Sequence, residues 1–224
     1  MINTKSKLLE AEGIAIRLFN AIEERGLIEP GKSEKRLNTE IFELANELFG
    51  IEKYWHKRIV RCGANTLSPY DDNPPDLVIQ DDDILFFDFG PIIEDWEADL
   101  GRTYVIGDNP AKHKIKNDIE AAWHEARDWF YEHTTLTGAE FYAYVVGLAH
   151  KYGWSYGSHI GGHLIGEFPH ERLDPGNYIL YVHAENPNDM FLPDKNGNKR
   201  EWILELQFID PEKKVGSFFE QLLT

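Results

Sequence analysis

Asp88 interrupts Ile84-Leu85-Phe86-Phe87-Asp88-Phe89, a run whose other five positions are all apolar. Such a run reads as a buried strand. An unpaired carboxylate inside it costs several kcal/mol, so the fold must supply something that neutralises the acid. On a strand, Asp88 shares a face with Phe86 and Gly90, and the glycine leaves room beside it. A second acid, Asp99, follows 11 residues later, at the head of an expected strand over Leu100 to Ile106. If Gly90 to Ala98 reverse the chain, the two strands pair and both carboxylates reach one point. The plainer reading has Asp88 capping a strand end and Asp99 paired with Arg102. Two facing aspartates argue for a cation, because like charges this close raise each other's pKa unless one sits between them. Oxygen-rich sites with a few imidazoles suit Mn, Co, Fe or Zn.

Two further clusters carry the same signature. His159-Ile160-Gly161-Gly162-His163 and the following stretch to His170 place three histidines in 12 residues among glycines. Packing alone explains this poorly, and small residues beside His163 let the backbone approach a ligand closely. Near the C-terminus, Glu205 interrupts Trp202-Ile203-Leu204-Glu205-Leu206-Gln207-Phe208, and Glu220 interrupts Ser217-Phe218-Phe219-Glu220-Gln221-Leu222. A hairpin through Pro211 to Val215 brings these two acids together. The plainer reading makes them edge-strand glutamates facing water. His113, His124, His133 and His150 fall on expected helices and read as ordinary packing or surface residues.

The remaining pattern is that of one α+β domain over 1–224. An amphipathic helix is expected over 5–25, stopped by Gly26, and a second from Ser33-Glu34 to Gly50. Residues 56–78 read as short strands and turns. Helices follow over about 111–133 and from Thr137-Gly138-Ala139-Glu140 to Gly153, the latter opening on an N-cap pattern. Strands and loops then run to the end, with a polar loop from Glu185 to Arg200 and a closing strand pair over Trp202–Ile209 and Gly216–Leu222. The order helix, helix, strands, helix, helix, strands hints at two similar halves.

Composition narrows the function. The charge sum of 23 basic and 39 acidic residues is −16, with no basic patch beyond Lys112-His113-Lys114-Ile115-Lys116, so nucleic acid is not an expected partner. No apolar stretch approaches the ~18–20 residues of a membrane span. The opening Met1-Ile2-Asn3-Thr4-Lys5 does not read as a signal peptide. The single cysteine, Cys62, cannot form an internal disulfide. The expectation is a cytoplasmic protein with no membrane partner.

Taken together, the order Asp, Asp, His, Glu, Glu resembles the pita-bread metallopeptidases: methionine aminopeptidase, aminopeptidase P, prolidase and their metal-free relative creatinase. The matching segments are Phe87-Asp88-Phe89-Gly90, Ala98-Asp99-Leu100-Gly101-Arg102-Thr103, Gly162-His163-Leu164-Ile165-Gly166, Ile203-Leu204-Glu205 and Gly216-Ser217-Phe218-Phe219-Glu220. The resemblance implies two similar α+β halves around a curved antiparallel sheet. It also implies two divalent metal ions per chain. Asp88 would ligate one, Asp99 and Glu220 would bridge both, and His163 and Glu205 would complete the other. A metal-bridged hydroxide would then attack a peptide carbonyl, with Glu205 shuttling the proton. His170 falls where the family places a histidine that contacts the substrate carbonyl. His159 resembles an extra histidine of the aminopeptidase P and prolidase branch, which tilts the expected substrate towards a peptide or dipeptide with proline after the first residue.

The chain departs from that pattern in the segment before the first aspartate. Gly63-Ala64-Asn65-Thr66-Leu67-Ser68-Pro69-Tyr70 puts Tyr70 where the family has a substrate-contacting histidine. A phenol donates a hydrogen bond but is a poor acid, with an ordinary pKa near 10. His56 is a candidate substitute. The expectation is a catalytic domain without the N-terminal domain of the proline-specific members, with a homodimer as a possible assembly. Two alternatives stand beside the peptidase: a catalytically weakened binding module of the same fold, and a creatinase-like hydrolase of non-peptide amides. The complete set of four acids and one histidine speaks against both, while Tyr70 speaks for the former.

Overall fold

A computed structural model of the protein describes residues 4–171 and 176–224. Met1, Ile2 and Asn3, read above for a leader, lie outside the described residues. The helices stand close to where periodicity and caps put them: α1 over Thr4–Glu24, α2 over Glu34–Phe49, α3 over Pro110–Tyr131 and α4 over Gly138–Tyr152. Ser33 caps α2 by accepting from the Arg36 amide, and Gly50 closes it at a left-handed φ of 64°. Thr137 and Glu140 form a reciprocal capping box at the start of α4. Among the described residues no helix is long and apolar enough to cross a membrane.

Nine strands accompany them among the described residues. They are β1 (Ile59–Cys62), β2 (Asp83–Phe89), β3 (Ile92–Ile93), β4 (Trp96–Glu97), β5 (Leu100–Ile106), β6 (Ser155–Tyr156), β7 (Gly162–Ile165), β8 (Glu201–Asp210) and β9 (Val215–Leu222). Within 56–78 only β1 and a short 3-10 helix at Gly63–Leu67 are regular. One antiparallel sheet runs β1-β2-β5-β9-β8-β6, with β7 pairing the other end of β8. The small β3–β4 hairpin occupies the reversal between β2 and β5. Two helix pairs each bring their own apolar cluster: α1 and α2 pack on Leu85, Phe87 and Phe89, and α3 and α4 pack on Leu204, Leu206 and Phe208.

Strand alternation then dictates what the opposite face carries. With Leu85, Phe87 and Phe89 turned to the helices, Phe86 and Asp88 face away; with Leu204 and Leu206 turned in, Glu205 and Gln207 face away. The register lines these positions up. Asp88 stands opposite Gly101, Gly101 opposite Glu220, and Glu220 opposite Glu205, so a single row across β2, β5, β9 and β8 bears three acids. Gly101 is the gap in that row, for a Cβ there would lie 2.4 Å from the Phe218 ring and 3.0 Å from the Glu220 Cβ. The plainer readings fail on this geometry. Asp88 lies inside β2 rather than capping it, and β8 and β9 are interior strands, so neither glutamate sits on an edge.

Candidate active site

Asp99 is the centre of the cluster and is 2% exposed. It immediately precedes β5, where the chain has just left the β3–β4 hairpin. Each of its oxygens faces a different imidazole. His56 Nε2 lies 3.1 Å from Oδ1, and His163 Nε2 lies 3.1 Å from Oδ2. His56 Nε2 also lies 3.5 Å from Asp88 Oδ1, and His163 Nε2 lies 3.9 Å from Glu220 Oε1. Arg102, the plainer partner of Asp99, instead directs its guanidinium to the Gly101 and Glu220 carbonyls and the Gln221 side chain. Arg61, on β1, is likewise taken up by the carbonyls of Ser68, Tyr70 and Asp72.

The electrostatics show a site short of positive charge. Burial pushes the Asp88 carboxyl up to about 7, against the pull of His56. Burial acts on Asp99 in the same sense, but His56 and His163 outweigh it and hold that carboxyl below the usual range. Burial raises Glu205, and it raises Glu220 further with the help of the Asp99, Asp88 and Glu205 charges. Burial disfavours the charged forms of both histidines, yet the acids around them win and lift each to about 9. Four carboxyls therefore share two imidazoles, and no donor among the described residues reaches Glu220 Oε2, which is buried. Mixed oxygen and imidazole donors converging on a buried point fit divalent metal ions. Two overlapping groups, His56-Asp88-Asp99 and Asp99-His163-Glu220, have ligand atoms within 4.8 Å of one another.

The cluster forms the floor of a cavity of about 500 Å³. His170, Tyr70 and His159 line it too, without joining the acids. His170 is fixed by Glu97 on β4, whose Oε2 accepts from the ring Nδ1 at 2.6 Å while Oε1 accepts from the His170 amide at 3.2 Å. Tyr70 is 43% exposed, with its ring 6.0 Å from that of His56. Burial of its hydroxyl pushes the phenol up to about 12. His159 is exposed at another part of the cavity, 6.3 Å between ring centroids from His183. Trp55 packs edge-on against His56, His163 and His170, at 4.4, 5.2 and 5.3 Å.

Sequence reading did not single out Glu97 or Trp55, and placed His56 only as a substitute for a substrate-contacting histidine. Glu97 had a signal of the kind that marked Asp88: an acid flanked by Trp96 and Ala98, and it is fully buried. Trp55 and His56 lie in an irregular stretch with no periodicity to flag them.

The model of metallopeptidase family M24 matches residues 6–198, a span that ends before Glu205 and Glu220. The Xaa-Pro dipeptidase of Pyrococcus horikoshii is 26% identical over 201 residues, covering 80% of this chain and 55% of that protein. Among solved structures, the prolidase of Thermococcus sibiricus superposes with a TM-score of 0.74 at 22% identity, over 96% of this chain and 57% of its own. The X-Pro aminopeptidase of Thermotoga maritima gives 0.76 at 20% identity, over 99% and 60%. These likenesses show the pita-bread fold. The chain spans less than two thirds of the length of each of these relatives.

Proposed function

The chain belongs to metallopeptidase family M24, and from that premise we propose that it is a dinuclear metal-dependent hydrolase that removes the N-terminal residue of a peptide or splits a dipeptide, with proline preferred after the first residue. The observation that carries this reading is the row Asp88–Gly101–Glu220–Glu205, which gathers the buried Asp88 and Glu220 and the half-buried Glu205 beside Asp99 and His163. In this reading Asp88, Asp99, His163, Glu205 and Glu220 would hold the ions. The preference for proline rests on the names of the relatives, an Xaa-Pro dipeptidase, a prolidase and an X-Pro aminopeptidase, and on the presence of His159 in the cavity.

Divalent ions bound there supply a Lewis acid for the scissile carbonyl and a water acidic enough to serve as nucleophile near neutral pH. The protein supplies the rest. Glu205, half-buried on β8, takes the proton from the attacking water and hands it to the leaving amine. His170 gives its Nδ1 to Glu97, which leaves Nε2 for the substrate. Tyr70 remains a phenol across the working range and donates its hydroxyl to the same substrate. Trp55 shields the cluster from water, which strengthens every charge interaction inside it. Hydrolysis of Xaa-Pro dipeptides and of methionyl peptides, assayed after addition of Mn²⁺ or Co²⁺, tests the reading. Release of the first residue, faster from Xaa-Pro, is expected; metal-loaded protein that cleaves neither class overturns it.

A further inference from the structure

We propose that His56 is itself a protein ligand of the metal position formed with Asp88 and Asp99, so that each of the two positions has one imidazole. This rests on the dinuclear reading above and extends it to a residue outside the Asp, Asp, His, Glu, Glu set.

The arrangement of His56 repeats that of His163 on the other side of Asp99. In each ring, Nδ1 is turned to the carbonyl of the following residue, at 2.7 Å for His56 and Lys57 and 2.9 Å for His163 and Leu164. In each, Nε2 lies 3.1 Å from one Asp99 oxygen. A carbonyl accepting at Nδ1 puts the ring proton there and leaves the lone pair at Nε2, the form in which histidine binds a metal. The other spacing of the His56 group also fits. Donors sharing an ion at bond lengths of about 2.0–2.2 Å stand roughly 3.0–3.5 Å from one another. Nε2 of His56 is 3.1 Å from Asp99 and 3.5 Å from Asp88.

The fold makes a place for this ring. The segment carrying it is pinned along the exit of β2, where the Trp55 amide donates to the Gly90 carbonyl and the Ile92 amide donates to the Lys53 carbonyl, both at 2.9 Å. A Cβ on Gly90 would lie 2.3 Å from His56 Cδ2 and Nε2 and 2.4 Å from the Trp55 indole nitrogen. The room that a glycine leaves beside Asp88 is therefore filled by an imidazole. With Nε2 aimed between two carboxylates and its side chain only 8% exposed, His56 is poorly placed to donate to a substrate. A second imidazole also shifts the metal preference, away from Mn²⁺ and towards Zn²⁺, Fe²⁺ or Co²⁺ at that position.

Co²⁺ added to metal-stripped protein gives the test. Proton NMR of the wild-type protein with both positions filled is expected to show two exchangeable, strongly shifted ring N–H signals, one from each ligating histidine. His56→Asn is expected to lose one of them and to weaken one of two Co²⁺ binding steps at least tenfold by calorimetry, an effect of the order of about 10–100-fold known for disturbed ligand shells. Asp99→Ala serves as the control for the site as a whole. A single shifted signal in the wild-type protein overturns the inference without relying on any variant. So does a His56→Asn protein whose two binding steps stay within twofold of wild type while Asp99→Ala loses both, and that outcome leaves the dinuclear reading standing. Unchanged binding in Asp99→Ala as well overturns the dinuclear reading and the inference together.

Discussion

Glu97 Oε2 and His170 Nδ1 meet at 2.6 Å, and the carboxylate that makes this contact is fully buried. The same carboxylate accepts from the backbone amides of His170 and Gly166, so it ties the loop after β7 to the β3–β4 hairpin as well as orienting the ring. His170 thus owes both its place and its tautomer to an acid two residues before Asp99.

Glu97→Gln is expected to lower kcat on an Xaa-Pro dipeptide by roughly 10–100-fold, the scale typical of orienting partners of histidine, with bound metal unchanged. Steady-state kinetics beside elemental analysis checks this. Full activity in the variant would mean that the contact serves packing alone.

Tyr70→Phe removes the hydroxyl of a residue that lines the cavity and leaves the acids untouched. The expected loss is about tenfold in kcat/KM, less than the 10²–10³ seen when a fully enclosed donor is removed, because Tyr70 is 43% exposed. Unaltered kinetics on several peptide lengths would exclude the hydroxyl from the reaction.

Gly101→Ala places a methyl group 2.4 Å from the Phe218 ring and 3.0 Å from the Glu220 Cβ. Overpacking of this kind costs typically about 1–3 kcal/mol, and here it also displaces a proposed ligand. Denaturant unfolding is expected to show the loss of stability, and calorimetry a weaker uptake of Co²⁺. A variant with wild-type stability and metal binding would show that the row of acids tolerates a shift.

Much of this was legible in the sequence because charge inside an apolar strand is rare and costly. Asp88, Glu205 and Glu220 stood out for that reason alone, and the structure puts all three in one cross-strand row. The caps at Ser33, Gly50 and Thr137 were equally legible, since each needs only a local pattern. The row itself was not, because it depends on the register of β5 against β9, which no short segment encodes. His56 entered the cluster through a loop whose path is set by backbone bonds to Gly90 and Ile92, and Glu97 belongs to a two-residue strand. Both positions are determined by tertiary contacts rather than by periodicity.

Metal removal is expected to destabilise the fold, since buried carboxyls that share an ion are left facing one another. Divalent metal at about 1,000 times its Kd adds roughly 4 kcal/mol to a protein that binds it only when folded. Thermal unfolding with EDTA and with added Co²⁺ measures the difference. Identical midpoints in the two conditions would place no metal in the native protein.

Elemental analysis of gently purified wild-type protein, run beside Asp99→Ala and Glu220→Ala, bears most directly on the metal centre. About two divalent ions per wild-type chain, with loss of metal in both variants, is the predicted result. Wild-type protein that takes up no metal even when Mn²⁺ or Co²⁺ is supplied, or variants that retain the full complement, would contradict it.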